Sequence, residues 1–167
     1  MTAETKLLIR PATTADVPLI LEFIRGLAEY ERAPEQAIAT ETDLLRDGFG
    51  QVPRFRVIIA EWSGAPAGFA FFFFNYSTWK GRPGLYLEDL FVKPKFRGKG
   101  IGKALLIRLA QIAVEENCMR FDWQVLDWYT PATEFYESLG AQVKKEWLTM
   151  RVEGEALKQL AGSQQGS

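Results

Sequence analysis

The sequence contains no histidine and only one cysteine, and these two scarcities exclude much of enzyme chemistry. Without histidine the chain cannot form a Ser-His-Asp or Cys-His nucleophilic site, and a zinc site lacks its commonest nitrogen ligand. Any proton transfer must use carboxylates, tyrosine, lysine or water. Cys118 cannot form a disulfide within the chain, which suits a reducing compartment. We therefore expect a cytoplasmic protein without a metal.

The chain also lacks an excess of charge of either sign and a hydrophobic run long enough to span a bilayer. Its formal net charge is −1, so it has no general basic surface for nucleic acid. The most apolar run, residues 67–76, is too short for a membrane and predicts a strand buried on both faces. We therefore expect neither a nucleic-acid partner nor a membrane partner.

The 167 residues, 47% hydrophobic and 25% charged, are typical of one globular domain. We expect a single domain over residues 1–162 and a disordered tail over 163–167. Hydrophobic periodicity and capping signals predict the order β-α-α-β-β-β-α-β-α-β, then a short helix at residues 154–162. The last two strands are expected at residues 119–126 and 144–152. This order indicates an α+β fold with an antiparallel meander and a β-α-β crossover.

A glycine-rich segment, VKPKFRGKGIGKALL at residues 92–106, precedes an apolar helix. Its spacing fits neither a Walker P-loop nor a dinucleotide fingerprint, but Arg97, Gly100 and Gly102 fit R-x-x-G-x-G. Backbone N–H groups at a helix N terminus bind anions, and glycines let a pyrophosphate come close. Lys99 and Lys103 add positive charge. The segment therefore predicts a local phosphate site, and a flexible loop with a solvated basic face is the alternative.

The segment LYLEDLFVKPKFRGKGIGKALL resembles the acetyl-coenzyme-A-binding segment of the GNAT N-acetyltransferases. Together with RPATTADVPLILEFIRGLAEYE, DLLRDGFG, YSTWKGR, LDW and FYESLGAQ, it is similar to the diamine (spermidine/spermine) and thialysine acetyltransferase branch. The resemblance extends to about Ala161. It implies a GNAT fold, in which a central mixed, mostly antiparallel twisted sheet is flanked by helices. A parallel strand pair would splay at the cofactor site.

The resemblance also implies a reaction. An acetyl group would pass from acetyl-CoA to a primary amine of a small cationic substrate, either a polyamine or a lysine-like compound such as thialysine. Glu88 would accept the proton of the amine through water, and Tyr136 would protonate the leaving thiolate. A tyrosine pKa of about 10 is not far above the thiol value of about 8.5, so this transfer is feasible. A homodimer is implied as well.

The binding residues are likewise implied by the resemblance. The cofactor-binding positions are Leu90, Phe91, Val92, Arg97, Gly98, Lys99, Gly100, Ile101, Gly102, Lys103 and Thr130. The substrate-binding positions are Tyr30, Glu31, Asp89, Trp79 and Trp128. One position departs from the family pattern, because Tyr129 stands where relatives usually carry Asn after the Trp of LDW. We expect the lost polar contact to move to Thr130 or to the backbone.

Strand alternation separates the two neighbouring acids. Glu88 and Leu90 should face one side of their strand, and Asp89 and Phe91 the other. Two other functions remain open at this stage. The acceptor could be the α-amine of an amino acid or protein, or the chain could be an acyl-CoA-binding module without turnover. Tyr136 and Glu88 argue against the module, because a pure binder needs neither residue.

Overall fold

A computed structural model describes residues 6–164 and divides the chain into two compact units, Met1–Gln124 and Val125–Ser167. The described part of the first unit contains a five-stranded sheet in the order β1-β2-β3-β4-β5. Its strands are β1 (Leu7–Pro11), β2 (Arg56–Trp62), β3 (Ala65–Ser77), β4 (Arg82–Val92) and β5 (Phe121–Trp123). Strands β1 to β4 pair antiparallel, and β4 pairs with β5 in parallel. The expected mixed, mostly antiparallel sheet is confirmed.

Helices flank this sheet. The first unit contains α1 (Val17–Tyr30), α2 (Glu41–Gly48) and α3 (Ile101–Glu115), with 3-10 turns at Thr14–Asp16, Pro34–Gln36 and Pro94–Phe96. The second unit contains α4 (Thr130–Ser138) and α5 (Gly154–Ala161). In the described residues the helices follow the predicted order, and α5 lies within the expected residues 154–162.

The two faces of the sheet bury different sets of side chains. On one face, α1 and α2 pack against alternate residues of β2, β3 and β4, and the rings of Phe23 and Phe69 stack with centroids 5.2 Å apart. The intervening residues Ile58, Ala70 and Phe72 are also buried. Strand alternation directs them to the opposite face, and α3 contacts β2, β3 and β4. The core thus has two layers, one on each face of the sheet. The candidate site described below lies along β4.

The apolar run at residues 67–76 is buried on both faces only in its first part. Phe69, Ala70 and Phe72 are buried, whereas Tyr76 is 63% exposed. The reason is that β2 begins at Arg56, which lies opposite Phe72. Beyond that pair, β3 has only β4 as a described neighbour. The prediction is therefore confirmed up to Phe72 and wrong beyond it.

The expected strand at residues 144–152 is wrong, because residues 125–164 contain no strand. Alternating side chains favour a strand, but a strand forms only where its backbone pairs with a neighbour. Strand β5 is also shorter than the expected 119–126. Ser163 and Gln164 have no regular structure, and the rest of the expected tail, residues 165–167, lies outside the described residues. The single domain over 1–162 stays a prediction.

Candidate functional site

Strand β4 loses its parallel neighbour halfway along its length. Residues Leu85 to Leu87 of β4 pair with β5, and the remaining residues of β4, from 88 to 92, do not. On its other side β4 pairs with β3 as far as Val92. This is the expected splay. It leaves the backbone of residues 88–92 open to a ligand that hydrogen-bonds as a strand would. Leu90, Phe91 and Val92, the backbone positions predicted to hold the cofactor, lie in this stretch.

The loop between β4 and α3 is shaped for an anion. Gly98 and Gly100 have φ of 81° and 79°, in the left-handed region that favours glycine. A Cβ at either position would meet nothing within 4 Å, so both glycines face open space. Helix α3 begins directly after Gly100, its N-cap. Amides in the first turn of a helix have no intrahelical acceptor, so those of residues 101–103 are available to an anion.

The side chains of the loop take different roles. Ile101 is buried in the core, so only its backbone can contact a ligand. Lys103 is exposed on the first turn of α3. The Lys99 ammonium lies 5.3 Å from the ring centroid of Trp62, at the end of β2. Two lysines of the predicted phosphate site are thus beside the glycines, and Arg97 points elsewhere, as described below.

Strand β4 carries one extra residue, Glu88, in a β-bulge against β3. Phe71 pairs with Asp89 and the next residue, Phe72, pairs with Leu87, so Glu88 has no partner on β3. Cross-strand partners share a face, which places Asp89 beside Phe71 on the α1 side of the sheet. Glu88 is exposed and Asp89 is half-buried. The bulge therefore gives two neighbouring acids very different surroundings.

Asp89 is the most perturbed carboxyl of this region. Burial raises its pKa to about 7, and repulsion from Glu88 and Glu31 adds to the effect. Burial also raises the pKa of Glu31, which caps the C-terminal end of α1. The Asp89 side chain has no hydrogen bond or ion pair with a described residue. A cation beside Asp89 and Glu31 would favour their ionised forms, so this cluster of Glu31, Glu88 and Asp89 suits a cationic ligand.

Arg97 connects the glycine loop to the end of α1. Its Nε donates a hydrogen bond to the carbonyl oxygen of Val92 at 3.0 Å. Its guanidinium carbon lies 4.7 Å from the ring centroid of Tyr30 and 5.8 Å from that of Phe91. A residue predicted to hold the cofactor thus contacts Tyr30, a residue predicted to hold the substrate. Sequence patterns could not reveal this contact, because it depends on how α1 packs against β4.

Trp79 lies far from the acidic cluster. It is 89% exposed, in the turn between β3 and β4. Asp89 follows Arg82, the first residue of β4, by seven positions, which is about 20 Å of strand. The structure therefore does not bring Trp79 to Asp89, and its role in substrate binding stays a prediction.

The second unit carries the remaining predicted residues. The rings of Trp128 and Tyr129 are 5.7 Å apart, Thr130 is the first residue of α4, and Tyr136 lies on the same helix. Burial, with a contribution from Tyr129, raises the pKa of Tyr136 above its usual value. The hydroxyl of Tyr136 therefore stays protonated at neutral pH, which is the state that a proton donor requires.

A groove beside α1 was missed by the sequence analysis. It is open to solvent, encloses about 600 Å³, and its walls include Glu22, Arg25, Gly26, Glu29, Phe91 and Lys93. In the sequence, Gly26 could have indicated this groove, because a glycine inside a helix lowers the stability of the helix by about 1 kcal/mol relative to alanine. A Cβ at this position would lie 2.8 Å from Cζ of Phe91. Glycine thus allows α1 to lie directly against the ring of Phe91.

Residues 6–164 contain neither a metal-ligand cluster nor a membrane-spanning helix. No three His, Cys, Asp or Glu residues in this range are grouped as metal ligands. The helices of the same range are all too short or too polar to cross a membrane. The first unit thus offers a glycine-rich loop at a helix N terminus, a strand edge without a β5 partner and a carboxylate cluster. The second unit offers a protonated tyrosine.

Comparison with known proteins identifies the family of this chain. Residues 21–141, well over half of the chain, match the model of the acetyltransferase (GNAT) family. A thialysine N-epsilon-acetyltransferase of Bos taurus is 42% identical over 166 residues, which cover 93% of this chain and 97% of that protein. An L-ornithine N5-acetyltransferase of Arabidopsis thaliana is 33% identical, with 90% of this chain and 86% of that protein covered.

A solved structure supports the same fold. An integron cassette protein from V. cholerae superposes with a TM-score of 0.81 and 31% sequence identity. The superposition covers 95% of this chain and 99% of that one. The similarity therefore extends over almost the whole of both chains.

Proposed function

Because the chain belongs to the acetyltransferase (GNAT) family, we propose that it transfers the acetyl group of acetyl-CoA to a primary amine of a small cationic substrate. The substrate is a polyamine or a lysine-like compound such as thialysine. Two relatives are named for acetylating thialysine at N-epsilon and L-ornithine at N5, which supports an amine at the end of a short chain. The observation that carries the proposal is the carboxylate cluster of Glu31, Glu88 and Asp89 at the open edge of β4.

The residues of the β4–α3 loop fit the acetyl donor used by GNAT acetyltransferases. Exposed glycines with free space around them and the first-turn amides of α3 match a pyrophosphate. Arg97, Lys99 and Lys103 supply positive charge. The backbone of residues 90–92, on the unpaired side of β4, would hold the pantetheine arm, with Thr130 as a further contact. Acetyl-CoA supplies the acetyl group as a reactive thioester.

Amine capture is assigned to the first unit. Glu31 and Asp89 would hold the cationic nitrogen by charge, and the ring of Tyr30 would hold it by a cation–π contact. Trp79 and Trp128 remain proposed contacts for the rest of the substrate. Capture by carboxylates explains why the acceptor should be cationic. It does not distinguish a polyamine from an amino acid.

Two proton transfers complete the reaction. The amine, with a pKa of about 10.4, is protonated at neutral pH and cannot attack until it loses a proton. Glu88, exposed at the bulge, would take that proton through water. The nitrogen then bonds to the acetyl carbon, the carbon–sulfur bond breaks, and Tyr136 gives its proton to the thiolate. Tyr136 carries its proton at neutral pH, as a donor must, although the burial that raises its pKa also makes it a weaker acid.

We also propose that the protein is a cytoplasmic homodimer. The single cysteine supports a reducing compartment. Highly exposed apolar side chains in the second unit support an interface, with Trp147, Leu148 and Met150 at 69%, 84% and 89% exposure.

Release of free thiol from acetyl-CoA tests the proposed function. The purified protein is assayed with spermidine, putrescine, thialysine, lysine and a peptide with a free α-amine. We expect turnover with one of the side-chain or polyamine nitrogens. Turnover only with the peptide would instead indicate an α-amine acetyltransferase, and donor binding without turnover would indicate a binding module.

Two tyrosine variants then test the proton donor. Tyr136→Phe should lower kcat by about 100-fold and leave the affinity for CoA unchanged, because only the acidic proton is lost. Tyr76→Phe is the matched control, because it removes a tyrosine hydroxyl that is 63% exposed on β3. Equal kcat for Tyr136→Phe and the wild type would rule out Tyr136 as the acid.

A further inference from the structure

The groove beside α1 has two walls that run in opposite directions. One wall is α1, and the other is the end of β4 with the residues that follow it. Near the start of the helix, Glu22 forms an ion pair with Lys93, with 3.3 Å between Oε1 and Nζ. One turn later, Gly26 lies against the ring of Phe91. Residue numbers thus rise along the helix wall as they fall along the other wall, so both walls can be followed toward the end of α1.

The next residues along both walls belong to the carboxylate cluster. Asp89 precedes Phe91 by two positions and faces the same side of β4, which places it about 7 Å further along the strand. Glu31 directly follows α1, and its charge reaches Asp89. A lysine-like side chain has five bonds of about 1.5 Å between its α-carbon and its terminal nitrogen, so it spans about 6 Å when extended. A ligand in the groove can therefore place such a nitrogen at the cluster.

The walls of the groove carry charges of both signs. Arg25 and Glu29 are exposed on the helix wall, four residues apart, which puts their Cβ atoms about 5–6 Å from each other. Neither side chain has an ion pair or a hydrogen bond with a described residue. Glu41 and Lys95 add one further charge of each sign. A groove with this balance of charge suits a ligand that is itself a zwitterion.

An amino acid differs from a polyamine in having an anionic group. A polyamine in the groove would bring only positive charge to Arg25 and Lys95, which repel it. A carboxylate would instead pair with the guanidinium of Arg25 in a charge-assisted and often bidentate contact. The guanidinium carbon of Arg97, 5.8 Å from the ring centroid of Phe91, adds positive charge where the groove approaches the cluster. These cations favour an acceptor that carries a carboxylate at its groove end.

We propose that the groove binds the α-carboxylate and α-ammonium groups of a free amino acid, with Arg25 on the carboxylate and Glu29 on the ammonium, while the side-chain amine lies at Asp89. This inference rests on the proposed function, because it uses the same amine site and names the class of acceptor that fills it. Arg25 and Glu29 are on this view specificity-determining residues. They favour a lysine-like amino acid over a polyamine.

Two analogues of thialysine separate the two contacts. One lacks the α-carboxylate and the other lacks the α-ammonium, and both keep the side-chain amine. Release of free thiol from acetyl-CoA gives kcat/KM for thialysine, for each analogue and for spermidine. We expect the wild type to prefer thialysine over each analogue by about tenfold or more, because one hydrogen bond to a charged group has about this effect.

Two variants should then change these preferences in a crossed pattern. Arg25→Gln should bring the preference over the analogue without the carboxylate down to about one, and Glu29→Gln should do so for the analogue without the ammonium. Each variant should keep the other preference. Arg54→Gln is the matched control, because Arg54 is an exposed arginine between α2 and β2 and is not part of the groove walls. It removes the same charge as Arg25→Gln and should keep both preferences.

Three results would overturn the inference and leave the proposed function intact. In the first, both variants keep the wild-type preferences. In the second, each variant lowers both preferences alike, which would indicate a long-range effect of charge. In the third, the wild type acetylates spermidine at least as well as thialysine. Absence of turnover by the wild type with every amine would instead overturn the proposed function and the inference together.

Discussion

The pKa of Asp89 depends strongly on the surroundings of its side chain. Its pKa is raised to about 7 by burial, with smaller contributions from Glu88 and Glu31. The native state therefore binds a proton more tightly than the unfolded chain, in which the pKa is about 3.9. Stability from this residue is complete below pH 4 and is lost as the pH rises through 7. A bound cation would stabilise the ionised form of Asp89, which is the form that destabilises the protein at neutral pH.

Replacing Asp89 by Asn should remove this pH dependence. We expect Asp89→Asn to exceed the wild type in unfolding free energy by about 2 kcal/mol at pH 8, and to differ little near pH 4. The estimate is well below the full value of the pKa shift, because Asp89 keeps some contact with water. Urea unfolding at pH 4, 6 and 8 measures the difference.

The control is Asp122→Asn, which removes an exposed carboxylate from the adjacent strand β5. It controls for the loss of one negative charge. If the wild type and Asp89→Asn lose stability in parallel between pH 4 and 8, Asp89 does not titrate in this range.

Sequence reasoning identified the residues of this cluster but not their arrangement. Resemblance selected Glu31, Glu88 and Asp89, and alternation correctly put Asp89 and Phe91 on one face. The bulge at Glu88 could not be predicted, because it depends on which residue of β3 lies opposite each residue of β4. The raised pKa of Asp89 follows from that packing, so it could not be predicted from the sequence either.

At the scale of elements, the first turn of α3 can be tested directly by substituting its glycines. A Cβ on Gly102 would lie 3.9 Å from Cγ2 of Val92, which is an ordinary contact. Gly102→Ala should therefore leave the fold intact or stabilise it by about 0.5 kcal/mol through helix propensity. The new methyl group would nevertheless crowd an anion on the first-turn amides, and we expect CoA affinity to fall about tenfold.

Gly100→Ala gives the contrasting result. Its φ of 79° is unfavourable for alanine, so this variant should lose about 1–2 kcal/mol of stability as well as CoA affinity. Thermal unfolding and CoA titration of both variants separate the two effects. Undiminished CoA binding by Gly102→Ala would show that the anion does not sit on these amides.

The elements that sequence patterns predicted best are those that local signals define. Helices α1, α2 and α3 each combine a periodic apolar stripe with an end signal such as Thr40, which caps α2 through a hydrogen bond from the Asp43 amide. Strands β1 to β4 are flanked by turn residues. The strand expected at residues 144–152 does not form. Alternation defines which side chains would share a face, but it does not provide a neighbouring strand to pair with.

At the scale of the whole molecule, the two units differ in what they bury. The first unit has a core on both faces of its sheet, with Phe23, Phe69 and Phe72 fully buried. The second unit has no buried residue between positions 125 and 164. A segment of this length without a core cannot offset its conformational entropy by itself. In the proposed homodimer, a second copy of the chain would cover its apolar side chains.

Light scattering after gel filtration tests this last step. We expect the wild-type protein to have twice the chain mass of 18.9 kDa. Leu148→Asp should shift the protein to the single-chain mass, because a charge would then be buried in the apolar interface. Ile38→Asp is the matched control, since Ile38 in the first unit and Leu148 in the second are both 84% exposed. The interface lies elsewhere if Leu148→Asp keeps the wild-type mass, and the homodimer is wrong if the wild type itself has the single-chain mass.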